Sequence, residues 1–286
     1  MINRKRKCGT RWDLLLVVFS IGCLLQKMMV MLPTWLLVRC LLSSSHNVYG
    51  SAAAILGRRR SRGAIRALAA AYERCEYDAK RDILQALAAT RTEDAARVLE
   101  RVVRDGTLHT VDDFDGLRCL AECGGAAIES CLRLLDDPPH KDTPFQGKIE
   151  VENIVDAIAN IADPRATRTL VTLYVDREGR LRRRAFEQLV KGCASIRCGI
   201  LTKPISEETV VETVRGYPHR DLTATQRALL INLLARLETR TALDLVREEF
   251  SRDPCDEVRK YAAGVLDDRK SVPDVFSQEG YITIRI

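Results

Sequence analysis

The sequence predicts an all-α protein, an α-solenoid of about six to seven helical hairpins that follows a hydrophobic N-terminal segment. Three observations predict this fold class. Apolar residues recur with i, i+3/i+4 spacing along most of the 286 residues, as on the buried face of amphipathic helices. An apolar frame repeats along the chain. Short polar turns, such as Thr90–Ala95 and Ala162–Ala166, join successive helical segments. One hairpin cannot bury its apolar face alone, so neighbouring hairpins are expected to stack.

The N-terminal 42 residues differ from the rest of the chain. A basic start precedes a nearly apolar run from Leu14 to Leu42. Its stretch Leu14–Val38 is long enough to cross a bilayer, at about 1.5 Å per helical residue, although Lys27 lies near its middle. The sequence therefore predicts a protein that is membrane-associated through residues 14–42, with a signal-anchor helix favoured.

Other interpretations of this segment stay open. It could be a cleaved signal peptide, a lipoprotein signal that ends at Cys23, or a helical hairpin that caps the end of the solenoid. A misassigned start codon, with Met28, Met29 and Met31 available, would make the protein cytoplasmic. The predicted domains are residues 1–42, the HEAT-like solenoid described below over residues 43–269, and a C-terminal tail over residues 270–286.

The excess positive charge is confined to the N-terminal segment. The chain has 45 basic and 39 acidic residues, and residues 1–42 hold seven of the basic ones and one acid. The remaining residues are therefore neutral overall. Because nucleic-acid-binding proteins carry their basic excess on the folded surface, this distribution argues against a nucleic-acid partner.

The repeat is marked by aliphatic residues, called anchors here. Each is followed by a small or aliphatic residue eight positions later and by an aliphatic residue twelve positions later. Four units fit this frame closely and a fifth fits it loosely. Two further anchors, Leu189 and Leu266, are recognised by the helices that precede them. The anchors are Leu56, Leu87, Leu120, Ile158, Leu189, Leu234 and Leu266. Their spacings predict one helical hairpin per anchor.

The stretch Asp253–Leu266 (DPCDEVRKYAAGVL) resembles the Asp-Pro-x-x-x-Val-Arg-x-x-Ala-x-x-x-Leu pattern of the HEAT repeat, in particular the short bacterial type of phycobilisome-lyase-like proteins. The resemblance covers roughly residues 45–269. It implies an α-solenoid in which an Asp in each turn pairs with an Arg six residues later, forming a structural ladder. The pairs that keep this offset are Asp176/Arg182, Asp221/Arg227 and Asp253/Arg259.

The sequence lacks the residue patterns that several kinds of catalysis need. A HEAT-like di-iron hydroxylase would show repeated His-Glu pairs, and none of the four histidines precedes a glutamate. Cys119 and Cys123 lie one helical turn apart, but no further Cys or His completes a tetrahedral metal site. The sequence therefore predicts no metal, no cofactor and no enzyme. The alternatives are a bilin-lyase-like enzyme or chaperone acting on a protein, and a HEAT-like nucleic-acid-binding protein.

A protein partner of unknown identity is predicted to bind the helices that end at the anchors, since the resemblance implies that these helices line the concave face. Positions two and six residues before an anchor fall between the apolar stripe residues and should face solvent. Their charges alternate along the stack, as in a surface that matches interleaved charges on a protein. The candidates are Arg81, Gln85, Arg118, Glu152, Asp156, Arg183, Glu187, Asn232 and Lys260.

Two insertions rich in turn-forming residues interrupt the repeat, at Asp136–Lys148 and Gly192–Ser206. Both are expected to be loops, which either contact a partner or serve as linkers. The final segment Tyr281–Ile286 alternates like a strand and could either add to a partner's sheet edge or fray.

Overall fold

The computed structural model describes residues 31–41, 46–75, 77–105, 113–138, 150–197 and 205–267. All regular structure in these ranges is helical, and they contain no strand. The prediction of an all-α, solenoid-like repeat of helical hairpins is confirmed. The predicted tail over residues 270–286 lies outside the described ranges.

The described residues form fourteen α-helices, which are numbered here in chain order. They are α1 (Thr34–Cys40), α2 (His46–Arg59), α3 (Arg62–Tyr72), α4 (Tyr77–Thr90), α5 (Glu93–Asp105), α6 (Asp113–Glu122), α7 (Ile128–Asp136), α8 (Val151–Ala159), α9 (Pro164–Asp176), α10 (Gly179–Arg197), α11 (Glu207–Arg215), α12 (Ala224–Leu237), α13 (Arg240–Leu245) and α14 (Asp256–Asp267). Short 3-10 turns occupy Gly124–Ala127 and His219–Asp221, and a π-helical turn, Val246–Phe250, extends α13. The helices divide into two compact units: unit 1 ends at Val98, inside α5, and unit 2 begins at Leu99.

In unit 1, the helices pack on their second neighbours along the chain as well as on their first. Helix α2 packs on α4, and α1 packs on both α2 and α3. The α2–α4 contact is close because Gly57 carries no side chain: a Cβ at this position would lie 2.5 Å from the carbonyl oxygen of Ala86. Small residues therefore set the distance between these two helices.

Within unit 2, the helices also pack on their second neighbours and form two layers. The even-numbered helices of this unit form one layer, in which α6 packs on α8, α8 on α10, α10 on α12 and α12 on α14. In the other layer, α9 packs on α11 and α11 on α13. Tyr174 joins the layers, since its buried hydroxyl donates a hydrogen bond to the carbonyl of Leu229 at 3.0 Å.

The repeat frame corresponds to the even-numbered helices. Six of the seven anchors, all but Leu266, are buried core residues in α2, α4, α6, α8, α10 and α12. Leu266 lies in α14 and is half-buried. The helix ends follow local sequence signals, as in the capping box of Thr223 and Gln226 at the start of α12.

The prediction of membrane association through residues 14–42 is corrected by the structure. Within the described ranges, no helix combines the length and the apolar character that crossing a membrane requires. Helix α1 starts after Pro33 and has only seven residues. Its apolar residue Leu37 and the following Leu41 are buried, and α1 packs on α2 and α3. The part of the segment before Met31 lies outside the described residues.

The loop predicted over Gly192–Ser206 is partly wrong, because α10 continues to Arg197. A Cβ at Gly192 would lie 2.9 Å from the Cβ of Ile205, so the helix packs closely against the chain that enters α11. Most of the insertion Asp136–Lys148, and the strand-like segment Tyr281–Ile286, lie outside the described residues.

Candidate functional site

An open groove of about 570 Å³ lies between α6 and α8 in unit 2. Its apolar lining residues are Leu117, Ala121 and Ala157, which are buried in the structure. Its polar lining residues are Arg118, Glu122, Asn153, Asp156 and Asn160. The groove therefore combines a small apolar floor with a rim of amide and charged groups.

The sequence of the two helices explains this lining. Leu117 and Ala121 are four residues apart on α6, so they share one face, and Arg118 and Glu122 form the next face. The Arg118 and Glu122 side chains pair at 3.4 Å within one turn. Asn153 and Asp156 on α8, and Asn160 directly after its end, are spaced by three and four residues, which brings them to the same face. The short Ala121 and Ala157 side chains leave space between the two helices.

A network of polar side chains joins this groove to α10. Arg184 donates two hydrogen bonds to Asp156, from Nε to Oδ1 at 2.7 Å and from Nη2 to Oδ2 at 2.6 Å. Gln188 donates a third from Nε2 to Oδ1 at 2.6 Å. These hydrogen bonds to Asp156 raise the pKa of Arg184. Asp156 is therefore held in one orientation at the edge of the groove.

Glu187 extends the network along α10. It accepts hydrogen bonds from Arg183 Nε at 3.1 Å and from Arg184 Nη1 at 3.0 Å. Burial opposes the ionisation of Glu187, but these hydrogen bonds and the nearby Lys191 outweigh it and lower its pKa. Glu187 is thus ionised at neutral pH.

The structure brings several of the predicted partner-binding residues together. Arg118 and Asp156 line the groove, and Glu152, Arg183 and Glu187 lie beside it on α8 and α10. Three further candidates are exposed elsewhere: Arg81 and Gln85 on α4 of unit 1, and Lys260 on α14, where it pairs with Asp256 at 2.9 Å.

The expectation that Asn232 faces solvent is wrong, because only 1% of this residue is exposed. Helix α12 is apolar on nearly all sides and packs on helices of both layers, including α9, α10, α13 and α14. The Nδ2 of Asn232 lies 3.3 Å from the hydroxyl of Tyr261. Asn232 is therefore part of the core and is not available to a partner.

In the expected Asp–Arg ladder, the carboxylates of Asp176 and Asp253 have partners other than the arginine six residues later. Arg227 pairs with Asp253, which lies 26 residues later in the chain, at 2.7 Å from Nε to Oδ2. Asp221, six residues before Arg227, is exposed. Asp176 accepts a hydrogen bond from Gln226 at 3.1 Å. The observed ion pair thus links two successive turns.

The other two arginines of the expected ladder bind backbone carbonyls. Arg182 Nη2 lies 3.5 Å from the oxygen of Val175. Arg259 donates to the carbonyl of Asp253 at 2.6 Å and also pairs with Asp256 at 2.8 Å. Arg182 therefore joins the start of α10 to the end of α9, and Arg259 stabilises the turn before α14.

Four arginines near the start of α10, at positions 180 and 182–184, form a basic cluster. Neighbouring acidic side chains and a carbonyl oxygen neutralise this cluster. Arg180 lies 3.9 Å from Glu152, and Arg183 and Arg184 pair with Glu187 and Asp156 as described above. Arg182 faces the Val175 carbonyl. The cluster therefore offers alternating charge instead of a uniformly basic surface.

Sequence reasoning missed Asn153, Asn160, Arg184 and Gln188 as members of this site. In the sequence, Arg184 is one of several neighbouring arginines near the start of α10, and nothing local marks its ion pair with Asp156 of α8 at 2.6 Å. The paired small residues Ala121 and Ala157 were the available signal for a groove, but their alignment depends on how α6 and α8 pack.

A second polar cluster joins α5 and α7 in unit 2. Glu100 is 8% exposed, and its carboxylate accepts hydrogen bonds from Arg133 at 2.7 Å and from Arg104 at 3.3 Å. Burial raises the pKa of Glu100, but the hydrogen bonds from Arg133, Ser130 and Arg104 outweigh it and lower the pKa. Arg104 also binds the carbonyls of Arg133 and Asp137 at the end of α7.

We expect Glu100→Gln to lower the free energy of unfolding by about 1–2 kcal/mol, because it removes a charged acceptor from two arginines that are partly exposed. Since the folded-state pKa of Glu100 is depressed, its contribution is present above the ordinary glutamate pKa and is lost as pH falls through the folded value. Urea unfolding at pH 7 and at pH 3.5 should therefore show a smaller difference between variant and wild type at pH 3.5. The control Glu178→Gln changes an exposed residue outside the helices. An equal loss in both variants would contradict the prediction.

The described residues contain no group of three or more His, Cys, Asp or Glu side chains that could hold a metal ion. Cys119, Cys123 and Cys131 are buried cysteines that are not in disulfide bonds. Burial raises the pKa of Cys131 to about 12, so this thiol is protonated at neutral pH.

No protein-family model and no curated protein matches the chain. Among solved structures, it is similar to human deoxyhypusine hydroxylase in complex with glycerol, at 15% identity and a TM-score of 0.35, over 87% of this chain and 98% of that one. It is also similar to the complex of CpcE and CpcF of phycocyanin lyase from a Nostoc species, at 17% identity and a TM-score of 0.32, over 83% and 94% of the two chains. A third similar structure is an engineered protein, at 19% identity and a TM-score of 0.23, over 84% of this chain and all of that one.

The prediction that the chain is not an enzyme is corrected by these comparisons. It rested on the absence of recognisable catalytic residue patterns, yet two of the similar structures named above are a hydroxylase and a lyase. At such identities and TM-scores, the similarities do not carry over an activity, a substrate or a partner. The chain has a HEAT-like helical repeat fold.

Proposed function

We propose that this chain is a helical-repeat scaffold that binds a protein partner on the face formed by α6, α8 and α10 of unit 2. The groove between α6 and α8 is the single observation that carries the proposal. An open depression with an apolar floor and a few polar groups at its rim has the composition of a binding site.

The rim of the groove suits a polypeptide backbone. Asn153 is half-buried and makes no side-chain hydrogen bond to any described residue. Its amide can both donate and accept, as a peptide group requires. Asp156 is already oriented by Arg184 and Gln188, so little side-chain entropy would be lost when a partner binds.

The charges beside the groove favour a protein over a polyanion. The four arginines near the start of α10 each face an acidic side chain or a carbonyl oxygen. A nucleic acid would have to displace these acids, whereas a protein with interleaved charges could match both signs. Arg81, Gln85 and Lys260 remain candidates for additional contacts. We also propose that the repeats are of the short bacterial, phycobilisome-lyase-like type, on the basis of the stretch Asp253–Leu266.

The proposal can be tested by selecting binders of the full-length chain from a random peptide phage library. Peptides that occupy the groove should bind at least about tenfold more weakly to Asn153→Arg and Arg118→Glu, which corresponds to about 1.4 kcal/mol. Asn153→Arg places a long side chain in the groove, and Arg118→Glu reverses a charge at its rim. Isothermal titration calorimetry with synthetic versions of the peptides measures the effect.

Matched controls lie in the other helix layer. Arg168→Glu on α9 and Thr241→Arg on α13 introduce the same kinds of change at exposed positions. Circular dichroism melting should show that all four variants fold. If the selected peptides bind the groove variants and the control variants equally well, the groove is not the binding site.

A further inference from the structure

His219 is a partly buried histidine of unit 2. It belongs to the connection Gly216–Thr223 between α11 and α12, and its ring packs edge-on against Phe250, with 5.1 Å between ring centroids and an interplanar angle of 79°. Phe250 is the last residue of the π-helical turn, and only 1% of it is exposed. The His219–Phe250 contact therefore joins the connection to the end of the α13 segment.

Both ring nitrogens of His219 are shielded from solvent, and neither has a hydrogen-bond partner among the described residues. The carbonyl of Val214, at the end of α11, is near enough to favour a charged ring but does not complete a hydrogen bond to it. An imidazolium needs two acceptors or water, because both of its nitrogens are donors. The observed position is therefore compatible with the neutral ring and unfavourable for the charged one.

The charged groups that face the ring come from three elements and partly oppose one another. Glu249 lies in the π-helical turn and Asp253 in the turn before α14, and both favour the charged ring. Arg227 on α12 disfavours it. Because Arg227 and Asp253 pair with each other at 2.7 Å, neither is free to compensate a new charge fully.

We propose that His219 is a pH-sensitive clasp. The neutral ring holds the Gly216–Thr223 connection on Phe250, and the protonated ring moves into water and so releases the connection. The release would also expose the Arg227–Asp253 pair, since Arg227 additionally binds the carbonyl of Leu222 in the same connection. The inference does not depend on the groove between α6 and α8.

The direction of the effect follows from the burial of the ring. Loss of hydration lowers the pKa of His219, and the attraction of Glu249 offsets this only in part. For a histidine whose folded pKa lies below its ordinary value of about 6.5, the stabilisation is present above that pH and is lost as pH falls through the folded pKa. The clasp should therefore be closed at pH 7.5 and loosened near pH 5.

Hydrogen exchange on the full-length chain tests the proposal, with rates corrected for the intrinsic effect of pH. Protection of residues 216–223 should fall between pH 7.5 and pH 5, by up to tenfold for each unit by which the pKa of His219 is depressed. In His219→Phe, which keeps an aromatic ring but cannot be protonated, protection should not change over this range. The triple variant His46→Gln, His109→Gln, His140→Gln removes the other histidines and should keep the pH dependence of the wild type.

Equal pH dependence in the wild type and in His219→Phe would overturn the proposal. If His219→Phe does not fold, the imidazole resonance of His219 in the wild type still decides by NMR titration. A depressed pKa together with a loss of protection at the same pH supports the clasp. An ordinary pKa, or unchanged protection through the titration, overturns it.

Discussion

Replacing Asp253 with asparagine is expected to lower the free energy of unfolding of unit 2 by about 3–5 kcal/mol. Asp253 is 5% exposed, and its carboxylate pairs with Arg227, which is itself nearly buried. The asparagine can still accept a hydrogen bond from the backbone N–H of Cys255, now made at 2.8 Å, so the local turn is preserved. What is lost is the negative charge, and an arginine without a charged partner remains in a poorly hydrated site.

The matched control for this prediction is Asp221→Asn. Asp221 has the same offset from an arginine as the expected ladder requires, but it is exposed. Its replacement should change the free energy of unfolding by no more than about 0.5 kcal/mol. Urea unfolding followed by circular dichroism measures both values. Similar losses in the two variants would mean that the i, i+6 pairing, and not the Arg227–Asp253 pair, stabilises the stack.

Gly57→Ala is expected to destabilise unit 1 by about 1–3 kcal/mol, the usual range for overpacking. The new Cβ would lie 2.5 Å from the carbonyl oxygen of Ala86 and 3.1 Å from its Cα and carbonyl carbon. These are backbone atoms within α4, so they cannot turn away as a side chain could. Helices α2 and α4 would have to separate, and contacts along their whole interface would be lost.

Gly264→Ala is the control, because it makes the same chemical change in a helix without a steric clash. A Cβ at Gly264, in the last turn of α14, would meet no atom within 4 Å. Alanine should therefore stabilise the protein by about 0.5–1 kcal/mol, since glycine loses more backbone entropy in a helix. Thermal melting monitored at 222 nm should move in opposite directions for the two variants. A shift of the same sign for both would show that the close α2–α4 contact does not limit packing.

The local features of this protein could be predicted from its sequence. The apolar frame identified the even-numbered helices, and six of its anchors are buried. Periodicity suffices here because each helix must turn one apolar stripe toward its neighbours, wherever those neighbours lie. Helix starts such as Thr223–Gln226 were also encoded locally, because a cap satisfies backbone groups within its own first turn.

Tertiary packing decided the features that depend on distant residues. From its place in the repeat, Asn232 was expected to face solvent. It is buried because α12 is covered by helices of both layers. Likewise, Arg227 is six residues from Asp221 in sequence, but Asp253 is the carboxylate that reaches it in the buried turn.

The sequence by itself determined the helices, their order and the stripe that each one buries, since these follow from interactions within a few residues. Only the tertiary structure decided the groove between α6 and α8, the orientation of Asp156 by α10, and the packing of His219 on Phe250. Each of these joins elements from different parts of the chain, and their relative positions follow from how the side chains of whole helices fit together.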